Sequence, residues 1–219
     1  MAASSATSPS GPPATGSAPS TFVAELAETF RRQLGRALGC RIEADATSLA
    51  FVDHYLALAR DERRPEILTL LAAGAGAHFA QVVAEELGAH VLDDRKDPRR
   101  IRVLLVHRCC HFSPVDLAYA AIVGEALDPA DERHPAGHAL DLAFHLPRSD
   151  GDGPSEAAWV EARLAELPPV PQDEYFGLTC RLETLSLICQ LLAARDQADG
   201  RAPRTYTVTD YAEFLARSA

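Results

Sequence analysis

From Ser20 onward the apolar residues recur every three to four positions, the repeat of a helix with one buried side. Phe22, Leu26, Phe30 and Leu34 form such a stripe, extended by Ala37 and Leu38, and predict a helix over 20–38. Ser20 is placed to cap it and Gly39 to stop it in the left-handed conformation. Glu25 and Glu28 lie toward its start and Arg31, Arg32 and Arg36 toward its end, as the helix dipole favours. A second helix is predicted over 47–60, with Leu49, Val52, Leu56 and Ala59 inward. A third opens at Pro65 and closes at Gly88.

The third helix lacks a polar side over much of its length. No Asp, Glu, Lys or Arg occurs from Ile67 to Ala84, roughly the minimum length of a membrane span. Its Ala and Gly content, together with His78, Gln81 and the closing Glu85 and Glu86, suits a central buried helix better. Gly74, Gly76 and Ala77 leave bare surface on which another backbone can pack.

After Gly88 the repeat falls to two. Residues 89–92 and 101–107 read as strands joined by a charged turn over 93–100. Ser113-Pro114-Val115-Asp116 is a sharp helix start, with a capping hydroxyl, proline at the first helical position and a carboxylate in the first turn; that helix is expected to reach about 126. Leu140, Leu142, Phe144 and Leu146 alternate with Asp141, Ala143 and His145, as in a half-buried strand. Residues 147–154 read as a connector and Ser155 as the cap of a helix carrying Trp159 and Leu164. A long helix over 173–195 follows, then a short strand over 205–208 and a capped terminal helix from Thr209. The sum is an α+β domain over 20–219, several helices on a small, mostly antiparallel sheet. Residues 1–19 carry no charge and no aromatic side chain and read as a disordered tail.

Composition narrows the function classes. Thirty-one acidic residues against twenty-one basic ones leave a net charge of −10, which argues against a general nucleic-acid binder and a polybasic membrane binder. Five cysteines without a disulfide spacing, and no basic-then-apolar leader, point to a reduced cytoplasm. Lys96 is the one lysine, so twenty of the twenty-one basic residues are arginine; with the alanine content this reads as GC-rich bacterial coding. No strand runs through a glycine-rich turn into a helix, so neither a dinucleotide fingerprint nor a phosphate loop is present.

One stretch resembles a motif of uncharacterised bacterial α+β domains. It runs Gly76-Ala77-His78-Phe79-Ala80-Gln81-Val82-Val83, ends at Leu87-Gly88 before a strand, and is followed by the Phe112-Ser113-Pro114 turn into a helix. In that family the helix reads Gly-Ala-Tyr-aliphatic-Gly-Glu-aliphatic. This chain differs at His78, Ala80 and Gln81, the polar positions a shared activity would need. The resemblance covers about 45–126 and implies a fold and a bacterial context, without a reaction.

The candidate chemistry is sparse. If one strand continued through His107-Arg108-Cys109-Cys110-His111, then His107, Cys109 and His111 would share a face and offer two imidazoles and a thiolate to zinc. His134 and His138 could add to that set, and His145 lies on the polar side of its strand with Asp141. That would make a zinc-dependent hydrolase; without metal, the cysteines are small apolar core residues. Cys180 and Cys189 fall on a helix with no facing cation to make a thiolate, and Ser113 is explained as a cap. Glu85, Glu86, Asp93, Asp94 and Asp97 read as solvated surface. Arg95, Lys96, Arg99, Arg100 and Arg102 form a basic hairpin able to grip an acidic peptide by bidentate contacts, with no aromatic among them to stack on a base. The favoured expectation is a non-catalytic scaffold that binds another protein, with no cofactor, nucleic acid or membrane involved. The alternatives are the zinc hydrolase and a small-ligand sensor that uses the Ala/Gly face of the third helix.

Overall fold

The computed structural model describes residues 20–95, 97–147 and 155–218. Helix α1 spans Thr21–Leu38; the Ser20 hydroxyl accepts the Val23 amide at 3.3 Å, and Gly39 sits at φ 70°. Its buried line is Val23, Ala27, Phe30 and Leu34, turned from the expected stripe so that Phe22 and Leu26 are only half covered. Helix α2, Ser48–Ala57, buries Leu49, Val52 and Leu56. Helix α3, Pro65–Leu87, is the central element and packs most extensively on α1 and on α4, Pro114–Val123. By length and composition α3 could cross a membrane, and 67% of its most apolar window is buried inside the fold.

Gly88 turns α3 into β1, Ala89–Leu92, which pairs antiparallel with β2, Arg102–Leu105. The connecting turn contains a short 3-10 segment, Pro98–Arg100, capped by Asp97. Strand β3, His111–Phe112, pairs antiparallel with β2 on its other edge, giving the order β1-β2-β3. Helices α5 (Glu156–Leu164), α6 (Gln172–Tyr175), α7 (Leu178–Ala198) and α8 (Val208–Ser218) complete an α+β fold.

The sheet is covered on both faces because its side chains alternate. Val103, Leu105 and Phe112 enter the main core, whereas Leu104 joins Cys109 and Tyr211 in a second cluster covered by Tyr206 and Phe214. The Tyr211 hydroxyl accepts the Cys110 amide at 2.8 Å, and its proton faces the carbonyls of Arg108 (2.6 Å), Leu105 (2.8 Å) and Cys110 (2.9 Å). One phenol thus closes the β2–β3 turn. Tyr211→Phe is expected to cost about 1–3 kcal/mol, the penalty for stranding buried backbone groups, read as a lower urea midpoint at an unchanged slope. An unmoved midpoint would mean the turn holds without the phenol.

Four local expectations are corrected, two of them by a carboxylate from elsewhere in the chain. The helix expected over 173–195 breaks at Gly177, where Asp53 of α2 accepts the amides of Leu178 (2.7 Å) and Thr179 (3.0 Å). A Cβ at Gly177 would stand 3.1 Å from that carboxylate. The strand expected over 140–146 makes a single bridge, His145 to His111, because the Asp116 carboxylate takes the Asp141 amide at 3.1 Å. The strand expected over 205–208 reduces to one bond, from the Tyr206 amide to the Val106 carbonyl. The strand expected over 101–107 ends at Leu105, where the chain turns. The connector foreseen over 147–154 lies outside the described residues except for Pro147, and the tail over 1–19 lies wholly outside them.

Candidate functional site

Helices α1, α2 and α3 do not close completely against one another. Gly74 lets α1 come close to α3, since a Cβ there would lie 2.9 Å from the Phe30 Cβ. Phe30 meets Tyr55 of α2 edge to face, with ring centroids 6.2 Å apart. Above this floor the helices diverge and leave an open groove of about 580 Å³, walled by Leu26, Leu58, Ile67 and Leu70. Leu58 is 70% exposed and Leu70 69%, a large apolar surface to leave in water. Among the described residues, Glu25 is the one charged side chain lining the groove. Of the cations close by, Arg63 pairs with Glu132 and Arg64 with Glu62, while Arg32 donates to the hydroxyl of Thr29 on the groove's lining.

Beneath the groove lies a buried polar chain. The Ser48 hydroxyl donates to the Asp45 carbonyl at 2.6 Å and contacts His78 Nε2 at 2.8 Å, which places the imidazole proton on Nε2. Nδ1 then faces the Arg31 guanidinium at 3.5 Å, and Arg31 also donates to Gln81. Burial, reinforced by Arg31, lowers the His78 pKa to about 4, so the ring is neutral. His78 and Gln81, two of the three departures from the resembled motif, therefore tie α3 to α1 and α2. A neutral histidine donating to a serine that itself donates to a carbonyl is a structural link, since a general base must accept the hydroxyl proton.

Two of the four described basic side chains of the hairpin are paired with its own carboxylates, and the other two meet neutral acceptors. Arg99 binds Asp97 through Nε at 3.0 Å, Arg100 binds Asp94 at 3.0 Å, and Arg102 donates to the carbonyls of Arg99 and Ile101. Arg95 donates to the Thr21 hydroxyl at 3.4 Å, and Lys96 lies outside the described residues.

The geometry assumed for the His/Cys cluster does not arise. Because β2 ends at Leu105 and the chain reverses before β3, His107, Cys109 and His111 do not share one strand face. His107 is exposed beside Gly88, while Cys109 is buried with Leu104 and Tyr211. His111 stacks on His145 with centroids 4.7 Å apart. Among the described residues no three His, Cys, Asp or Glu side chains gather as a metal-binding group. His138 instead contacts the buried Asp116 carboxylate at 2.8 Å, and His134 lies against the Pro135 carbonyl. His145 contacts Asp141 at 2.8 Å. Burial pushes the Cys109 and Cys189 thiols up to about 11 and Cys110 well above its usual range, the reverse of what a thiolate nucleophile requires.

The groove residues Leu58, Ile67 and Leu70 were not legible as a site, because exposed and buried leucines look alike in a sequence. Their one signal is that α3 is apolar on more sides than a single core contact needs. No family model matches the chain, and neither a curated protein nor a solved structure is similar to it.

Proposed function

We propose that this chain is a non-catalytic protein-interaction module of the bacterial cytoplasm. Its α1–α2–α3 groove receives an amphipathic helix carrying basic residues beside its apolar stripe. The observation that carries the reading is the exposure of Leu58 and Leu70 over an apolar cleft wide enough for helical side chains. The basic flank follows from charge: Glu25 lines the groove, Glu66 stands exposed next to Ile67, and the whole chain carries −10. Residues 1–19 hold no Leu, Ile, Val or aromatic side chain, so they are poorly suited to fill it.

The test titrates the full chain with two labelled model helices, one built from Leu and Lys and one from Leu and Glu. The Leu/Lys helix is expected to bind at least about tenfold tighter, a difference of roughly 1.4 kcal/mol. Leu58→Glu with Leu70→Glu is expected to abolish that binding while the helical circular dichroism stays as in the parent. Because the double variant adds negative charge, its failure to bind isolates the apolar contact from general attraction. Equal affinity for the two helices, or binding untouched by the double variant, would overturn the reading. So would a parent dimer that the substitutions dissociate, since a second copy would then occupy the groove.

A further inference from the structure

A second cleft, of about 560 Å³, lies between α5, the segment over 142–146 and the start of α7. Its walls are Leu142, Phe144, Val160, Leu164 and Ile188, and into this apolar space comes one guanidinium, Arg181. Arg181 is 6% exposed. Among the described residues it makes no ion pair, and its Nε is buried without a hydrogen-bond partner. Its faces are occupied: the guanidinium carbon stands 4.6 Å from the Tyr175 ring centre and 5.6 Å from that of Phe176. Aromatic faces attract the charge but accept none of the in-plane N–H bonds. Asp53, whose carboxylate meets the first turn of α7, is engaged by the amides of Leu178 and Thr179. A buried cation without an acceptor is costly, and the planar fork of arginine fits a carboxylate.

We infer that this cleft binds a small hydrophobic carboxylic acid, its carboxylate on Arg181 and its apolar tail along Leu142, Val160, Leu164 and Ile188. The volume lies in the usual range of small-molecule sites, which combine apolar walls with a few placed polar groups. The site is independent of the α1–α2–α3 groove and stands or falls separately. Glu161, also on the lining, sits outside ion-pair reach of Arg181 and sets the limit on ligand charge: one anionic group is compensated, a second is repelled.

The experiment is calorimetric titration of the full chain at pH 7.5 with octanoate and with its neutral analogue octanamide. Octanoate is expected to bind with one-to-one stoichiometry and about tenfold tighter than the amide, because charge-assisted bonds exceed neutral ones. Arg181→Met is expected to bring octanoate down to the amide's affinity and to leave the amide unchanged. If that variant does not fold, Thr184→Phe, which fills the cleft from the α7 wall, is expected to remove binding of both compounds. Absence of octanoate binding, equal affinity for acid and amide, or a preference that survives Arg181→Met would each overturn the inference. So would octanoate binding that Thr184→Phe leaves intact.

Discussion

Gly76→Val is expected to lower stability by at least about 3 kcal/mol, near the upper range of overpacking costs and roughly 10 °C in melting temperature for a domain of this size. A Cβ at position 76 would lie 2.7 Å from the Val115 Cα and 2.8 Å from both the Val115 nitrogen and the Pro114 oxygen. All three are backbone atoms in the first turn of α4, a helix buried along its whole length, so the neighbour cannot turn aside. The helix-propensity gain on replacing glycine, at most about 1 kcal/mol, is too small to offset the clash. Gly74→Ala is the matched control. Its added carbon would lie 2.9 Å from the Phe30 Cβ, which the α1 backbone holds in place, so it too costs about 1–3 kcal/mol, less than Gly76→Val because it adds one carbon against a side chain where valine adds three against backbone. Thermal melts of the two variants check the difference. A Gly76→Val melt like the parent's would mean that α3 and α4 do not meet backbone to backbone.

The second large effect is acid lability. His78 is lowered to about 4 by burial and then by Arg31; His111 is lowered to about 4 by burial and then by its stacked neighbour His145. Unfolded histidine titrates near 6.5, so between pH 6.5 and 4 the unfolded chain binds protons that the folded chain refuses. Stability therefore falls as pH drops through that window, by about 2 kcal/mol per histidine at pH 5, and is unaffected by these groups above pH 7. Neither ring has room to accept the charge. His78 faces a guanidinium, and the His111 Nδ1 is buried with no partner to receive a new proton. Carboxylates held low by arginine, such as Glu62 and Asp131, titrate near 2 and act in a more acidic window. Urea midpoints at pH 7 and pH 5 give the measurement, and His78→Gln is expected to remove about half of the difference, since it deletes one of the two titrating rings. A midpoint that does not move between the two pH values would show that both rings take up protons freely in the fold.

Both expectations depend on contacts that join distant parts of the chain, and here the reach of the sequence can be judged residue by residue. The caps at Ser20, Ser113 and Ser155, and the stops at Gly39 and Gly88, stand where local rules place them. The charge-free run in α3 correctly marks the central helix, and the change of repeat after Gly88 marks β1 and β2. The candidate site was scarcely legible. The metal reading of His107, Cys109 and His111 assumed a continuous strand, and the turn that separates them is pinned by Tyr211, about a hundred positions later. Arg181 drew attention only as a neighbour of Cys180 that cannot face it, on a helix expected to begin earlier, because the break before it depends on Asp53.

Periodicity, caps and turn residues act within a few positions of one another, so the order of residues alone places most helices and two strands. Packing across the chain settles which apolar residues are covered, which carboxylates take backbone amides far away, and which charges remain without a partner. Those outcomes depend on groups brought together across the chain. Leu58 and Leu70 stay in water, and Arg181 is buried without an acceptor among the described residues, because of what their neighbours in space leave unfilled.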